Sequence, residues 1–202
     1  MATPPLYIDF ASAVNTHRRL HGGGNGQPIT KAVGLKTYGL PLSILDATAG
    51  LGQDAFVLAC LGCNVTMLER APSIADLLAD ALERGKHDAN IHEIINRMQL
   101  INDDSLLFMR TLQPEQYPDV VYLDPMFPVR EKSALVKQDL RILKEIVGDD
   151  PDADQLLEIA RKVSKRRVVV KRPRIAPHLA MVKPHSEQIG KANRFDIYMP
   201  LN

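Results

Sequence analysis

The chain has 202 residues, 45% of them apolar, and 25 Lys and Arg against 24 Asp and Glu give a formal charge of +1. That is enough for one domain with its own core and too balanced for polyanion binding by total charge, so any nucleic-acid surface must come from clustering. No apolar run approaches the ~18 residues of a membrane span, Met1 to Leu20 lack the basic-then-apolar order of a signal peptide, and two cysteines in all are present, which predicts a cytoplasmic protein in a reducing compartment.

Residues 1–41 differ in character from the rest and are expected to pack as an N-terminal segment on a main domain of residues 42–202, one structural unit overall. Tyr7-Ile8-Asp9-Phe10 reads as a short strand. His17, Arg18 and Arg19 then precede His21-Gly22-Gly23-Gly24-Asn25-Gly26, where consecutive glycines leave the backbone without a preferred conformation. From Leu42 onward short β-rich runs alternate with helical periods, the pattern of a mostly parallel sheet with helices on both faces. Strands are expected over Ser43 to Leu45, Asn64 to Leu68, Met98 to Asn102, Val120 to Leu123, Arg167 to Val170 and Arg194 to Met199.

Between these strands the helices follow from their apolar spacing. Gln53 to Leu61 follows the first strand. Ser73 precedes the stripe Ile74, Leu77, Leu78, Ala81 and Leu82, with Asp76 three residues after this cap and Gly85 where a stop belongs. Asn90 to Arg97 makes a short helix, and Ser105 to Leu112 and Lys132 to Val147 two longer ones. Asp154 to Val163 buries Leu156, Leu157, Ala160 and Val163. Cys60 and Cys63 close a helix beside Gly62 and have no further ligand pair, so they read as small apolar residues and no metal is expected.

Gly50-x-Gly52-x-x-Ala55 follows a strand and opens a helix, which formally satisfies a dinucleotide fingerprint, and Glu69 lies near the distance of a ribose-binding acid. The turn alone fits NAD or S-adenosyl-L-methionine (SAM). Charge separates them, because Asp54 would repel a pyrophosphate on the helix N-terminus, whereas Asp46 and Asp54 favour the cationic ammonium and sulfonium of SAM. Asp104 stands just past the third strand, where an adenine amino group is received. Asp46, Glu69, Asp104 and Asp124 thus fall at four successive carboxyl ends, the edge at which open parallel sheets bind ligands. Any one of them alone reads equally well as a helix cap or a solvated acid.

Asp124-Pro125-Met126-Phe127-Pro128 closes the fourth strand. An exocyclic base amine is a poor nucleophile because its lone pair is delocalised. The Asp124 carboxylate and the Pro125 carbonyl can accept its two N–H groups and hold the nitrogen toward a sulfonium methyl, with Phe127 stacked on the base. Asp124 is then also placed to receive the proton released on transfer.

Five stretches, Asp46-Ala47-Thr48-Ala49-Gly50-Leu51-Gly52, Met67-Leu68-Glu69-Arg70, Tyr122-Leu123-Asp124-Pro125-Met126-Phe127-Pro128, Val168-Val169-Val170-Lys171-Arg172-Pro173 and Arg194-Phe195-Asp196-Ile197-Tyr198, resemble in order the ribosomal RNA small subunit methyltransferase J family. The resemblance implies a Rossmann-like class I SAM-dependent fold and methyl transfer to the N2 amino group of one guanine in 16S ribosomal RNA. It further implies that Gln53, Asp54, Glu69, Arg70, Asp104, Ser105 and Asp124 line the cofactor site. The family usually carries Arg at the position of Gln53.

RNA contacts are expected from Arg18, Arg19, Lys171 and Arg172, the last two read as following the fifth strand on the same edge, while Arg161 to Lys165 reads as a solvated helix end. An adenine or cytosine amine in DNA, an NAD-dependent oxidoreductase and a non-catalytic RNA-binding module are the competing readings.

Overall fold

A computed structural model describes residues 6–12, 27–126 and 153–201. Arg18, Arg19, the Gly22-Gly23-Gly24 loop, Phe127 and the helix expected over Lys132 to Val147 lie outside the described residues. Seven strands form one sheet: β1 (Ser43–Asp46), β2 (Asn64–Leu68), β3 (Met98–Ile101), β4 (Val120–Leu123), β5 (Arg167–Pro173), β6 (Ser186–Ile189) and β7 (Asn193–Tyr198). Their order is β3-β2-β1-β4-β5-β7-β6. β1 to β5 run parallel, and β7 is antiparallel to β5 and to β6. The strand order reverses direction between β1 and β4, so a crevice opens at their carboxyl ends.

Period-2 alternation divides the core between the two faces. Val120 and Tyr122 point into a cluster with Ile29, Val33, Phe56, Leu58 and Leu78, whereas Val121 and Leu123 point into one with Leu106, Met109, Leu157 and Val163. The first cluster is built by α1 (Pro28–Val33), α2 (Leu35–Tyr38), α3 (Gln53–Cys60), α4 (Pro72–Lys86) and α5 (His92–Ile95), the second by α6 (Ser105–Thr111) and α7 (Ala153–Val163). A strand covered on both faces has no polar side to show, which is why β4 reads Val-Val-Tyr-Leu with every residue buried.

Several expectations are corrected. Ser73 does not cap α4: Ala71 is its N-cap and Pro72 occupies the first turn, where its missing N–H costs nothing. Gly85 does not stop that helix either. It lies buried in the last turn, where a Cβ would come 2.8 Å from Ile95 Cγ1, so its smallness serves the α4–α5 contact. Tyr7 to Phe10 form no strand. This segment is held by side chains: Ile8 and Phe10 are buried, Arg84 Nη2 donates to the Ile8 carbonyl at 2.6 Å, and the Arg84 guanidinium lies 4.5 Å from the Tyr7 ring centroid. The α1–α2 pair and the exposed edge strand β6 were not expected, and β5 continues three residues past Val170.

Candidate active site

After β1 ends at Asp46, the chain turns sharply into α3 with Gly50 at φ 52° and Gly52 at φ 68°, left-handed angles that side chains resist. Gly52 also has no room for a Cβ, which would meet Leu78 Cδ2 at 2.9 Å and Phe10 Cζ at 3.1 Å. Phe10 in turn stacks on Phe56 with ring centroids 5.0 Å apart. The turn is braced from β2. Ala49 N–H donates to the Leu68 carbonyl at 3.1 Å, Gly50 N–H to Glu69 Oε2 at 3.0 Å and Ala71 N–H to Glu69 Oε1 at 2.8 Å. Asn102 Nδ2 donates to the Glu69 carbonyl at 2.7 Å. Both carboxylate oxygens of Glu69 therefore accept backbone N–H groups, and the acid expected at a ribose also holds the turn in shape.

The next acid along the edge, Asp104, is the N-cap of α6 and accepts from Leu107 N–H at 2.9 Å. Ser105 Oγ donates to the Ala47 carbonyl at 2.6 Å and ties that helix to the turn. Gln53 and Asp54 are the first two residues of α3, and Glu69 and Arg70 are the first two residues after β2, so the residues chosen for the cofactor lie along one crevice rim.

Between β1 and β4 the arrangement is denser. Asp124 N–H donates to Thr48 Oγ1 at 2.6 Å, which fixes the start of the Asp-Pro step against the turn. Tyr122 OH donates to Asp54 Oδ2 at 2.7 Å, and Lys171 Nζ donates to that same oxygen at 2.7 Å and to Asp124 Oδ2 at 2.8 Å. Asp46 is 2% exposed and accepts from Thr48 N–H at 3.2 Å. Burial drives its carboxyl up to about 8, the Thr48 N–H opposes this, and the neighbouring Asp54 and Asp124 add to it. Burial likewise raises the Asp124 carboxyl, opposed chiefly by the Lys171 ammonium. Burial disfavours charge on Lys171, but the Asp124 and Asp54 carboxylates outweigh it and hold its pKa above the ordinary lysine value. Tyr122 is pushed well above the ordinary phenol value by burial and by the acids around it, so it acts as a donor. With Asp46 held protonated by burial at neutral pH, the Asp54 and Asp124 carboxylates around one ammonium still leave a negative charge in surplus, which suits a cationic ligand and disfavours a phosphate.

Lys171 and Arg172 are placed differently from the expectation that sent both to RNA. They lie within β5, not after it. Lys171 follows Val169 on the α3 face and is engaged with two acids, while Arg172 is buried on the other face with Nη2 donating to the Pro177 carbonyl at 3.2 Å. Pro125 is buried and Met126 packs against the first core cluster. Burial pushes the Cys63 thiol up to about 11, in keeping with an unreactive packing residue. Sequence reasoning missed Tyr122, Thr48 and the role of Lys171. The signal was available in the alternation that sets Val169 and Lys171 on the same face as Tyr122.

An Asp-Pro step and an acid-lined glycine turn thus share the crevice of a doubly wound sheet. Residues 1–200 match the family described as putative SAM-dependent methyltransferase. The ribosomal RNA small subunit methyltransferase J of Serratia proteamaculans is 52% identical over 197 residues, covering 97% of this chain and 78% of that protein. The protein of the same name from Pseudoalteromonas atlantica is 54% identical over 198 residues, covering 96% and 76%. The chain belongs to the ribosomal RNA small subunit methyltransferase J family. A crystal structure of a SAM-dependent methyltransferase from Neisseria gonorrhoeae superposes with a TM-score of 0.80 at 37% identity, covering 100% of this chain and 77% of that one. The fold of this methyltransferase J family member is accordingly that of the class I SAM-dependent enzymes, and SAM is its cofactor. Among the described residues, no helix is long and apolar enough to cross a membrane.

Proposed function

We propose that this chain transfers the methyl group of SAM to the exocyclic N2 amino group of a guanine in 16S ribosomal RNA of the small subunit, working in the cytoplasm. The observation that carries the reading is the Asp124-Pro125 step at the carboxyl end of β4, held against the glycine turn by the Asp124 N–H to Thr48 Oγ1 bond of 2.6 Å. The relatives, named for methylation of small-subunit ribosomal RNA, support that RNA as substrate.

The surplus of acid in the crevice fits a methyl donor that carries positive charge and no phosphate. Gly50 and Gly52 would let the chain's own backbone approach the donor closely, Glu69, Asp104 and Asp54 would hold it, and when bound it would supply an electrophilic methyl and leave as a neutral thioether. Asp124 and the Pro125 carbonyl accept the two N–H groups of the amine and orient its nitrogen. The surplus proton left on nitrogen after methyl transfer passes to Asp124 or through it to water. RNA phosphates are held by exposed cations on this edge. Arg174 and Lys191 are exposed, and the Arg174 N–H donates to the Ala192 carbonyl at 3.1 Å, which brings the end of β5 beside the β6–β7 turn. Arg18 and Arg19 are assigned to the same task, and Phe127 to stacking on the base.

Incubation with labelled SAM and, in parallel, small ribosomal subunits, naked ribosomal RNA or duplex DNA tests the reading. Label is expected in RNA as N2-methylguanosine, and Asp124→Asn is expected to lose on the order of 10²–10³-fold in turnover. Label in DNA alone, or binding of NAD without SAM in calorimetry, would refute it.

A further inference from the structure

Lys171 is an unusual residue to find in a crevice that receives a cation. Its side chain is 22% exposed, and it reaches Asp54 Oδ2 at 2.7 Å and Asp124 Oδ2 at 2.8 Å. The fold fixes its place by register. Val170 pairs with Leu123, so the next residue on β5 stands abreast of Asp124 as that strand ends. The ammonium is held on its other side by Asp54, itself pinned by the hydroxyl of Tyr122 at 2.7 Å. Tyr122 lies on β4, and Asp124 directly follows that strand's last residue. The chain Tyr122, Asp54, Lys171, Asp124 therefore leaves β4, crosses to α3 and β5, and returns to the end of β4.

A closed circuit of this kind determines how one carboxylate is presented. Lys171 engages Oδ2 of Asp124, and among the described residues Oδ1 has no hydrogen bond. With one oxygen tied to a fixed cation, rotation of the carboxylate is arrested and the other oxygen has a set direction. The same contact counters the effect of burial and keeps Asp124 able to accept both a hydrogen bond and a proton.

We infer that Lys171 is a positioning residue for methyl transfer: it orients the Asp124 carboxylate, so that Oδ1 faces the amine. The inference rests on the reading above, in which Asp124 receives the amine. Lys171 itself touches neither reactant and forms no covalent bond.

The test uses the full chain, labelled SAM and small ribosomal subunits. Lys171→Met is expected to lower kcat by ~100-fold and to move the acid limb of its pH profile upward by about one unit, because Asp124 holds its proton more tightly without the ammonium. SAM affinity by calorimetry is expected to be kept or increased, a cation having been removed beside a cationic ligand. Lys171→Arg should restore most of kcat and return the acid limb. Wild-type kcat and pH profile in Lys171→Met would overturn the inference, as would a loss of kcat that only tracks a loss of folded protein. If Lys171→Met does not fold, Tyr122→Phe loosens the Asp54 anchor while keeping the ion pairs. It should shift the limb in the same direction by less, and an unshifted profile counts against the inference. Failure of the methyl-transfer reading appears separately, as a wild-type protein that labels no RNA.

Discussion

Replacing Asp46 by Asn should change how stability depends on pH. Burial raises the Asp46 carboxyl pKa to about 8 in the fold, against 3.8 for an ordinary aspartate. The folded state thus binds the proton more tightly than the unfolded chain. The favourable contribution is complete below the unfolded value and is lost as pH rises through the folded one. Between pH 6 and pH 9 the loss amounts to about 3 kcal/mol by proton linkage. Asn cannot titrate, and its carbonyl oxygen can still accept from Thr48 N–H, now 3.2 Å from Oδ1. The stability of Asp46→Asn relative to the unaltered chain should therefore rise by about 3 kcal/mol from pH 6 to pH 9, or roughly 6–12 °C in relative Tm for a domain of this size. Groups that titrate in both proteins cancel in the difference. Thermal melts without SAM in matched buffers measure it, and a difference that stays constant within ~0.5 kcal/mol over the same interval would refute the argument.

Three further substitutions address the turn and its supports. Gly52→Ala forces a side chain into a φ of 68° and against Leu78 and Phe10, and should cost about 2–5 kcal/mol in urea denaturation, with unchanged stability as the refuting result. Glu69→Gln turns one of two acceptors toward a backbone N–H as a donor, so calorimetry should find SAM binding weakened by about tenfold or more, and an unchanged Kd would deny Glu69 its bracing role. Gly85→Ala would stabilise an exposed helix by up to ~1 kcal/mol, but here the new methyl meets Ile95 Cγ1 at 2.8 Å. A net loss of ~1 kcal/mol is expected in the same denaturation assay, and a gain would show that Ile95 moves aside at little cost.

Much of the sheet was legible because each central strand carries its own evidence. β2 and β4 fall where their apolar runs end, β1 and β3 differ from expectation by a residue at one boundary, and β7 by a residue at each end. β6 was not legible: Ser186–Ile189 is an edge strand with little buried surface, so no alternation marks it. β5 was expected to end at Val170 and runs on to Pro173. Beyond Val170, β5 pairs with β7 alone, and a proline is tolerated where one flank is open. That reading sent Lys171 outward to phosphate when the ladder holds it inward at the acids. The acids expected at the cofactor stand at their strand ends as the sequence suggested, but their links to Thr48, Tyr122 and Lys171 join residues distant in sequence, which no local pattern reports.

The seat of Phe10 also has a bearing on synthesis. Its ring rests on Phe56 and, with Leu78, closes off the space beside Gly52 where a Cβ would stand. A chain emerging from the ribosome N-terminus first must therefore hold residues 6–12 undocked until roughly seventy more have been made, since the surface that receives them does not exist before α3 and α4 assemble. Residues 6–12 thus settle later than the helices that follow them, and the glycine turn acquires its floor only when that docking is complete.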